Sequence, residues 1–194
     1  MKHILALLII LSVSSCESKE QKRERILKEF EKEAKTLRNN QIDFSFNARP
    51  RYFSAKTMNG TVFNSQNYKD KNLVVFIYDK SYLKKSESYD MAEELNALYT
   101  KYKNDAYFIG IVEGFIEDEK ELQDYLSHSH VLFEQIDNTK SYNKSEKLNY
   151  NLVCSPAKVL IDTNGKVIHS SCGGGNNLVI EQKLDSIRAI KLNP

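Results

Sequence analysis

Three cysteines carry most of the reactive chemistry available to this 194-residue chain. Cys154 and Cys172 flank a run typical of a β-hairpin, in which Asn164-Gly165 supplies turn residues that tolerate positive φ. If the turn centres near Asn164, Cys172 lies opposite residues 155–157, within disulfide reach of Cys154. Three alternatives stay open for this pair: a structural disulfide, two unpaired thiols, or a working redox pair.

The third cysteine, Cys16, ends an N-terminal segment typical of export. Lys2 supplies a positive charge, and Ile4–Leu11 is apolar but too short to span a bilayer. The run Val13-Ser14-Ser15-Cys16 resembles the bacterial lipobox. The resemblance implies that residues 1–15 are a lipoprotein signal peptide and that Cys16 is lipidated. A plain secretory signal followed by an unmodified cysteine is the alternative.

Lipidation at Cys16 would hold the protein at a membrane of the bacterial cell envelope, with the rest of the chain outside the cytoplasm. An exported compartment is oxidising, so disulfides persist there. We therefore expect the membrane to be one partner of the chain, and Cys154 with Cys172 to be a disulfide candidate.

Composition argues against several other classes of function. The net charge is only +2, and no basic stripe interleaved with aromatic residues is visible, so nucleic acid is not an expected partner. His128-Ser129-His130 could present two imidazoles, but no Cys-x-x-x-Cys accompanies them as further ligands. Gly173–Gly175 lacks the Lys-Ser/Thr of a phosphate-binding loop. We expect neither a metal nor a cofactor.

The segment after Cys16 predicts a charged helix. Between Ser18 and Asn39, apolar residues recur at 3-4-3 spacing, which places them on one narrow stripe: Leu27, Phe30, Ala34 and Leu37. Such a helix suits a spacer between a lipid anchor and a domain, with a short coiled-coil seam as the alternative. We expect residues 16–41 to be this anchor and spacer, and residues 42–194 to be one domain.

Strand and helix patterns alternate through the rest of the chain, which predicts an α/β domain with a central mixed sheet flanked by helices. Serine is a favoured N-cap residue, so Ser86 or Ser88 is expected to start the first helix of the domain. The predicted elements are a hairpin over Phe53–Phe63, strands at Leu73–Tyr78, Tyr107–Val112 and Val131–Ile136, helices at Asp118–Ser127, Ser141–Leu148 and Leu178–Ile190, and the Cys154–Cys172 hairpin.

Several of these segments resemble one family. The run Cys154–Val167 is similar to the segment of thioredoxin-like membrane-anchored thiol-disulfide oxidoreductases and redoxins in which a cis-proline faces a catalytic Cys-x-x-Cys. Thr57–Phe63, Tyr68–Phe76 and Glu94–Tyr102 resemble that family's hairpin, first core strand and first long helix. The resemblance covers roughly Phe53 to the C-terminus. It implies a thioredoxin-like fold with a cis bond before Pro156.

The family's catalytic motif is missing, because no cysteine lies between Cys16 and Cys154. Counting along the resemblance places the two family cysteines at Ser81 and Lys84, or at Lys85 and Ser88. No catalytic residue is therefore assigned.

Without the motif, the resemblance implies a non-catalytic binding module. In such a module Ser155 and Pro156 would contact an extended peptide or an envelope protein by strand addition. The alternative is an atypical thiol-disulfide oxidoreductase that uses Cys154 and Cys172.

Overall fold

The computed structural model describes residues 18–39, 41–139 and 147–192. The signal segment, Cys16 and most of the helix predicted over Ser141–Leu148 lie outside this range. The chain divides into two compact units, Met1–Asn40 and Gln41–Pro194. Each unit is described by itself below.

The described part of the first unit is one helix, α1, which spans Lys19–Asn39. Ser18 and Gln21 form a reciprocal capping box: the Gln21 N–H donates to Ser18 Oγ at 3.1 Å, and the Ser18 N–H donates to Gln21 Oε1 at 2.9 Å. The helix is predicted by the spacing of its apolar residues, and this cap explains why it begins at Lys19. None of the described helices is both long and apolar enough to cross a membrane.

The second unit is built on a five-stranded mixed sheet. Its spatial order is β5-β4-β3-β6-β7. The strands β3, β4 and β5 are parallel to one another, and β6 pairs antiparallel with β3 on one side and with β7 on the other. A separate antiparallel hairpin joins β1 to β2. The strands are β1 Ser54–Lys56, β2 Val62–Asn64, β3 Asn72–Asp79, β4 Ala106–Glu113, β5 Glu134–Asp137, β6 Ala157–Ile161 and β7 Val167–Cys172.

The described residues of this unit also form three α-helices: α2 Met91–Tyr102, α3 Glu119–His128 and α4 Leu178–Leu192. Their apolar faces pack on one side of the sheet, where Met91, Leu95 and Leu184 are buried. The other side of the sheet is covered by a second apolar cluster that includes Phe44 and Phe53. The α/β class and the mixed sheet flanked by helices are therefore as the sequence predicts.

The central strand β3 shows why its sequence is apolar throughout. Val74, Phe76 and Tyr78 face the helices, whereas Leu73, Val75 and Ile77 face the second cluster, and none is more than 4% exposed. A strand covered on both faces is typically a near-continuous apolar run.

The β6–β7 hairpin has the register expected from its turn. Ala157 faces Cys172 across the two strands. Gly165 has a φ of 73°, which an L side chain rarely adopts, and the Asp162 carboxylate accepts the N–H groups of Asn164 and Lys166 at 2.9 and 2.8 Å. The turn sequence therefore fixes which residues of the two strands meet.

Two expected elements differ in extent. The strand predicted over Val131–Ile136 is confined to Glu134–Asp137. The helix predicted over Leu178–Ile190 continues to Leu192 in α4, and its buried side ends before the helix does, because Ile180 and Leu184 are buried whereas Ile190 is 72% exposed.

Candidate functional site

The connection from β3 to α2 is where the family resemblance places a nucleophile. Asp79 ends β3, and its carboxylate accepts the Ser81 N–H at 2.9 Å, which starts a 3₁₀ turn over Lys80–Leu83. Leu83 is 1% exposed and fastens this turn to the core. Ser81, one of the expected family positions, therefore lies in a turn held at both ends.

Lysines of this connection pair with carboxylates of the domain. Lys84 Nζ donates to Asp124 of α3 at 2.6 Å, and Lys80 forms an ion pair with Glu121 of the same helix. Both ammonium groups also lie over the Tyr125 ring, 4.7 and 4.9 Å from its centroid. These contacts dock the turn on α3.

The helix α2 begins at Met91, with Asp90 as its N-cap. The Glu93 N–H donates to Asp90 Oδ1 at 2.9 Å, and this bond, with the Lys85 ammonium nearby, holds the pKa of Asp90 below its ordinary value. A carboxylate therefore occupies the positive end of this helix.

The prediction that Ser86 or Ser88 caps α2 is wrong. The Ser86 hydroxyl donates to the Tyr89 carbonyl and accepts the Tyr89 N–H, each at 3.0 Å, so Ser86 closes a turn ahead of the helix. This turn brings Asp90, rather than a serine, to the first free N–H groups. Lys84, Lys85 and Ser88, the other expected family positions, all precede the cap.

The loop before β6 meets the end of β3. The Ser155–Pro156 bond is cis, as the resemblance implies. The Asp79 N–H donates to Ser155 Oγ at 2.7 Å, and the Tyr82 hydroxyl donates to the Ser155 carbonyl at 3.4 Å. Within the described residues the Ser155 N–H has no hydrogen-bond partner.

Cys154 and Cys172 form a disulfide with a Cα–Cα distance of 5.8 Å. The bond joins the cis-proline loop to the end of β7, and the Gly173 N–H donates to the Pro156 carbonyl at 2.8 Å beside it. Cys154 packs partly buried against the core, whereas Cys172 is exposed. Of the three alternatives for the pair, the structure shows the two sulfurs bonded.

A buried lysine next to this loop escaped the sequence analysis. Lys158 lies in β6 and is 0% exposed. Its ammonium donates to the Glu94 carboxylate, to Asn177 Oδ1 at 2.7 Å and to the Asn176 carbonyl at 3.3 Å. The one available indication was a single lysine inside the apolar run Ala157–Ile161, since a buried charge needs a partner.

Glu94 of α2 is the centre of this polar network. Besides Lys158, it accepts the Tyr89 hydroxyl at 2.6 Å and the Gly175 N–H at 2.7 Å. Burial alone raises the pKa of Glu94, but the hydrogen bonds from these three donors outweigh it, so the pKa lies below its ordinary value.

The network also fixes the glycine loop after β7. A Cβ at Gly174 would come within 2.3 Å of the Tyr89 hydroxyl, so only glycine allows this approach. The loop is thereby held against α2 on one side and joined to the disulfide on the other.

No protein-family model and no curated protein sequence matches this chain. Solved structures do match. DsbF of MTB, in mixed oxidised and reduced forms, is 18% identical with a TM-score of 0.54, and the match covers 70% of this chain and 94% of that one.

Two further structures give the same result. The C-terminal domain of a Bacteroides thetaiotaomicron protein described as a thiol-disulfide oxidoreductase is 20% identical with a TM-score of 0.56, over 74% of this chain and 95% of that one. A thioredoxin-family thiol:disulfide interchange protein of Chlorobium tepidum is 14% identical with a TM-score of 0.52, over 74% and 97%. The chain has a thioredoxin-like fold.

The cis-proline loop and the start of α2 carry different chemical groups in this thioredoxin-like domain. The cis-proline loop is present, with a disulfide beside it whose Cys172 end is open to solvent. The start of α2 carries Asp90 and no thiol. The arrangement can therefore present backbone beside Pro156, and any thiol chemistry has to start at the Cys154–Cys172 bond.

Proposed function

We propose that the protein is a lipid-anchored cell-envelope protein whose thioredoxin-like domain binds an extended peptide segment and does not carry out dithiol exchange. The observation that carries this proposal is the carboxylate of Asp90 at the N-terminus of α2.

The start of α2 is the place where a thiol would gain reactivity. A helix N-terminus stabilises a thiolate because its unpaired N–H groups and dipole favour negative charge. Here the Asp90 carboxylate already accepts the Glu93 N–H, and no cysteine lies in the preceding connection. The domain thus has a capped helix where an exchange enzyme has its nucleophile.

The cis-proline loop has the features that peptide binding by strand addition needs. The unpaired Ser155 N–H is a main-chain donor for an added strand, and the carbonyl of the same residue has only a 3.4 Å contact from Tyr82. Val153, two residues earlier, is fully exposed and offers an apolar contact beside this backbone. The Gly173 N–H donates to the Pro156 carbonyl and so holds this backbone in place.

The lipid anchor is supported by sequence. Val13-Ser14-Ser15-Cys16 follows a short apolar segment and resembles the lipobox. Cys154 and Cys172 pair with each other, and the sequence holds one further cysteine, Cys16. We infer that acylation of Cys16 holds the domain at the envelope membrane.

One observation favours a second function, because Cys172 is exposed beside the cis-proline loop. A thiolate of an external dithiol could attack the Cys172 sulfur, which would release Cys154 as a thiolate. The second thiol of the dithiol would then close its own disulfide, leaving Cys154 and Cys172 reduced. This is the atypical oxidoreductase, and it needs a bond that is reduced easily.

One experiment with the acylated protein tests both functions. A photo-reactive amino acid replaces Val153 in cells, and a matched variant carries it at Val62, which is also exposed but lies in the separate hairpin. We expect one discrete crosslinked protein from position 153, competed by an excess of the unlabelled domain, and none from position 62. The same purified protein should show negligible insulin reduction and no exchange in a glutathione buffer.

Rapid, reversible exchange of Cys154 and Cys172 with glutathione would overturn the binding proposal in favour of the oxidoreductase. Equal crosslinking at the two positions would remove the support for a groove beside Pro156. The variant Cys154→Ser with Cys172→Ser is the blank for exchange, because it has no thiol in the domain.

A further inference from the structure

The helix α1 carries an exposed apolar stripe with nothing packed on it in the described residues. Ile26, Leu27 and Phe30 are 51%, 50% and 68% exposed. At 100° per residue these side chains share one side of the helix, and Lys28, Lys32 and Lys35 fall on the opposite side. A helix with this division is amphipathic, and its apolar side needs a surface to cover it.

The charge of α1 indicates what kind of surface this is. The helix has eight basic and five acidic side chains, a net charge of +3, whereas the whole chain carries only +2. Basic amphipathic helices lie in the headgroup region of anionic bilayers, with apolar residues buried and lysines turned to water or lipid phosphate.

The distance to the lipid anchor points to the same surface. Two residues lie between Cys16 and Lys19, the first residue of α1, so the two are at most about 10 Å apart. If Cys16 is acylated, α1 begins within that distance of the bilayer in every molecule. A second copy of the chain would have to be encountered by diffusion, whereas the bilayer is always within reach.

We propose that α1 lies along an anionic membrane surface, with Ile26, Leu27 and Phe30 buried in the interface. The inference rests on the lipid anchor proposed above and adds a second membrane contact to it. The anchor would fix the N-terminal end of α1 at the bilayer, and burial of its apolar residues together with attraction to anionic lipid would add a contact along the helix. The helix is then a surface contact and not a rod that holds the domain away from the bilayer.

The test uses the acylated protein in vesicles of phosphatidylcholine and phosphatidylglycerol. Nitroxide labels are placed at Phe30→Cys and, as the matched control, at Lys28→Cys, while the native disulfide stays closed. We expect the label at position 30 to collide more with oxygen than with a water-soluble nickel chelate, and the label at position 28 to show the reverse. Vesicles of phosphatidylcholine alone should reduce the difference.

Equal access of the nickel chelate at both positions would overturn the proposal. Strong spin–spin broadening at position 30 would also overturn it, because a second copy would then cover the stripe.

The anchor is measured separately by the mass of the mature protein. A mass without acyl groups at Cys16 refutes the anchor and, with it, this inference. An acylated protein whose two labels behave alike refutes the surface helix only. A further variant carries Phe30→Glu together with a label at Ile26→Cys. We expect its label to become accessible to the nickel chelate while the acylated chain stays with the vesicles.

Discussion

Two loops meet at the carboxyl end of β3, and they differ in how their polar groups are used. In the β3–α2 connection, Asp79 caps the 3₁₀ turn, Ser86 closes the next turn and Asp90 caps α2. In the cis-proline loop, the Ser155 N–H and the Val153 side chain remain open. The polar groups of the β3–α2 connection are thus paired within the connection, whereas the cis-proline loop leaves a backbone N–H and an apolar side chain open.

Two links hold the loops together. The Asp79 N–H donates to Ser155 Oγ at the surface, and the Lys158–Glu94 pair joins β6 to α2 in the interior. The interior link also carries the glycine loop through Gly175. These polar links are therefore the places at which the two loops can be perturbed.

The largest effect is expected from Lys158→Met. The side chains of Lys158 and Glu94 are 1% and 11% exposed, so the variant leaves a buried carboxylate without its cation. Breaking a buried pair in this way costs about 3–5 kcal/mol. Denaturant unfolding at neutral pH should show this loss in the free energy of unfolding.

The dependence on pH gives the sign of the effect. The folded-state pKa of Glu94 is below its ordinary 4.5, so its contribution is present above that pH and is lost as the pH falls through the folded value. In Lys158→Met we expect burial to raise this pKa, so acid should shrink the deficit. Adding Glu94→Gln should restore part of the stability, and a double variant no better than Lys158→Met would contradict the ion pair.

The second effect concerns the disulfide. Replacing Cys154 and Cys172 by serine opens a closed loop with a sequence separation of 18, which costs about 3 kcal/mol in the chain-entropy model. Amide exchange should speed up at Gly173, whose N–H donates to Pro156, and stay unchanged at Glu93 under the Asp90 cap. Faster exchange at both sites would contradict this expectation, because the loss of the disulfide would then also loosen the cap of α2.

Local patterns predicted the framework of this domain. The apolar run of β3 and the turn at Asn164-Gly165 depend on residues close in sequence. The cis bond before Pro156 is implied by the family resemblance alone, because most peptide bonds that precede a proline are trans. Where neighbours in sequence decide the structure, the sequence was sufficient.

The network at the site depends on distant residues, and it was missed. Lys158 and Glu94 are 64 residues apart, and although a lysine inside an apolar run indicates that it needs a partner, nothing near it in sequence identifies Glu94 as that partner. The cap of α2 was assigned to serine because Ser and Asp have similar N-cap preferences. Only the turn closed by Ser86 decides between them, by placing Asp90 at the helix start.

The smallest effect tests the helix start directly. Asp90→Ala should lower the free energy of unfolding by about 1 kcal/mol, because the Glu93 N–H loses its acceptor.

Asp90→Cys places a thiol at the same position, where the helix N-terminus favours the thiolate, so its pKa should fall below the usual value of about 8.5. Ser88→Cys, two residues earlier in the exposed loop, is the matched control and should titrate near that usual value. The rate of alkylation against pH measures both thiols while Cys154 and Cys172 stay bonded. Equal titration of the two thiols would mean that position 90 does not stabilise an anion, and the contrast between the closed and the open loop would lose its electrostatic basis.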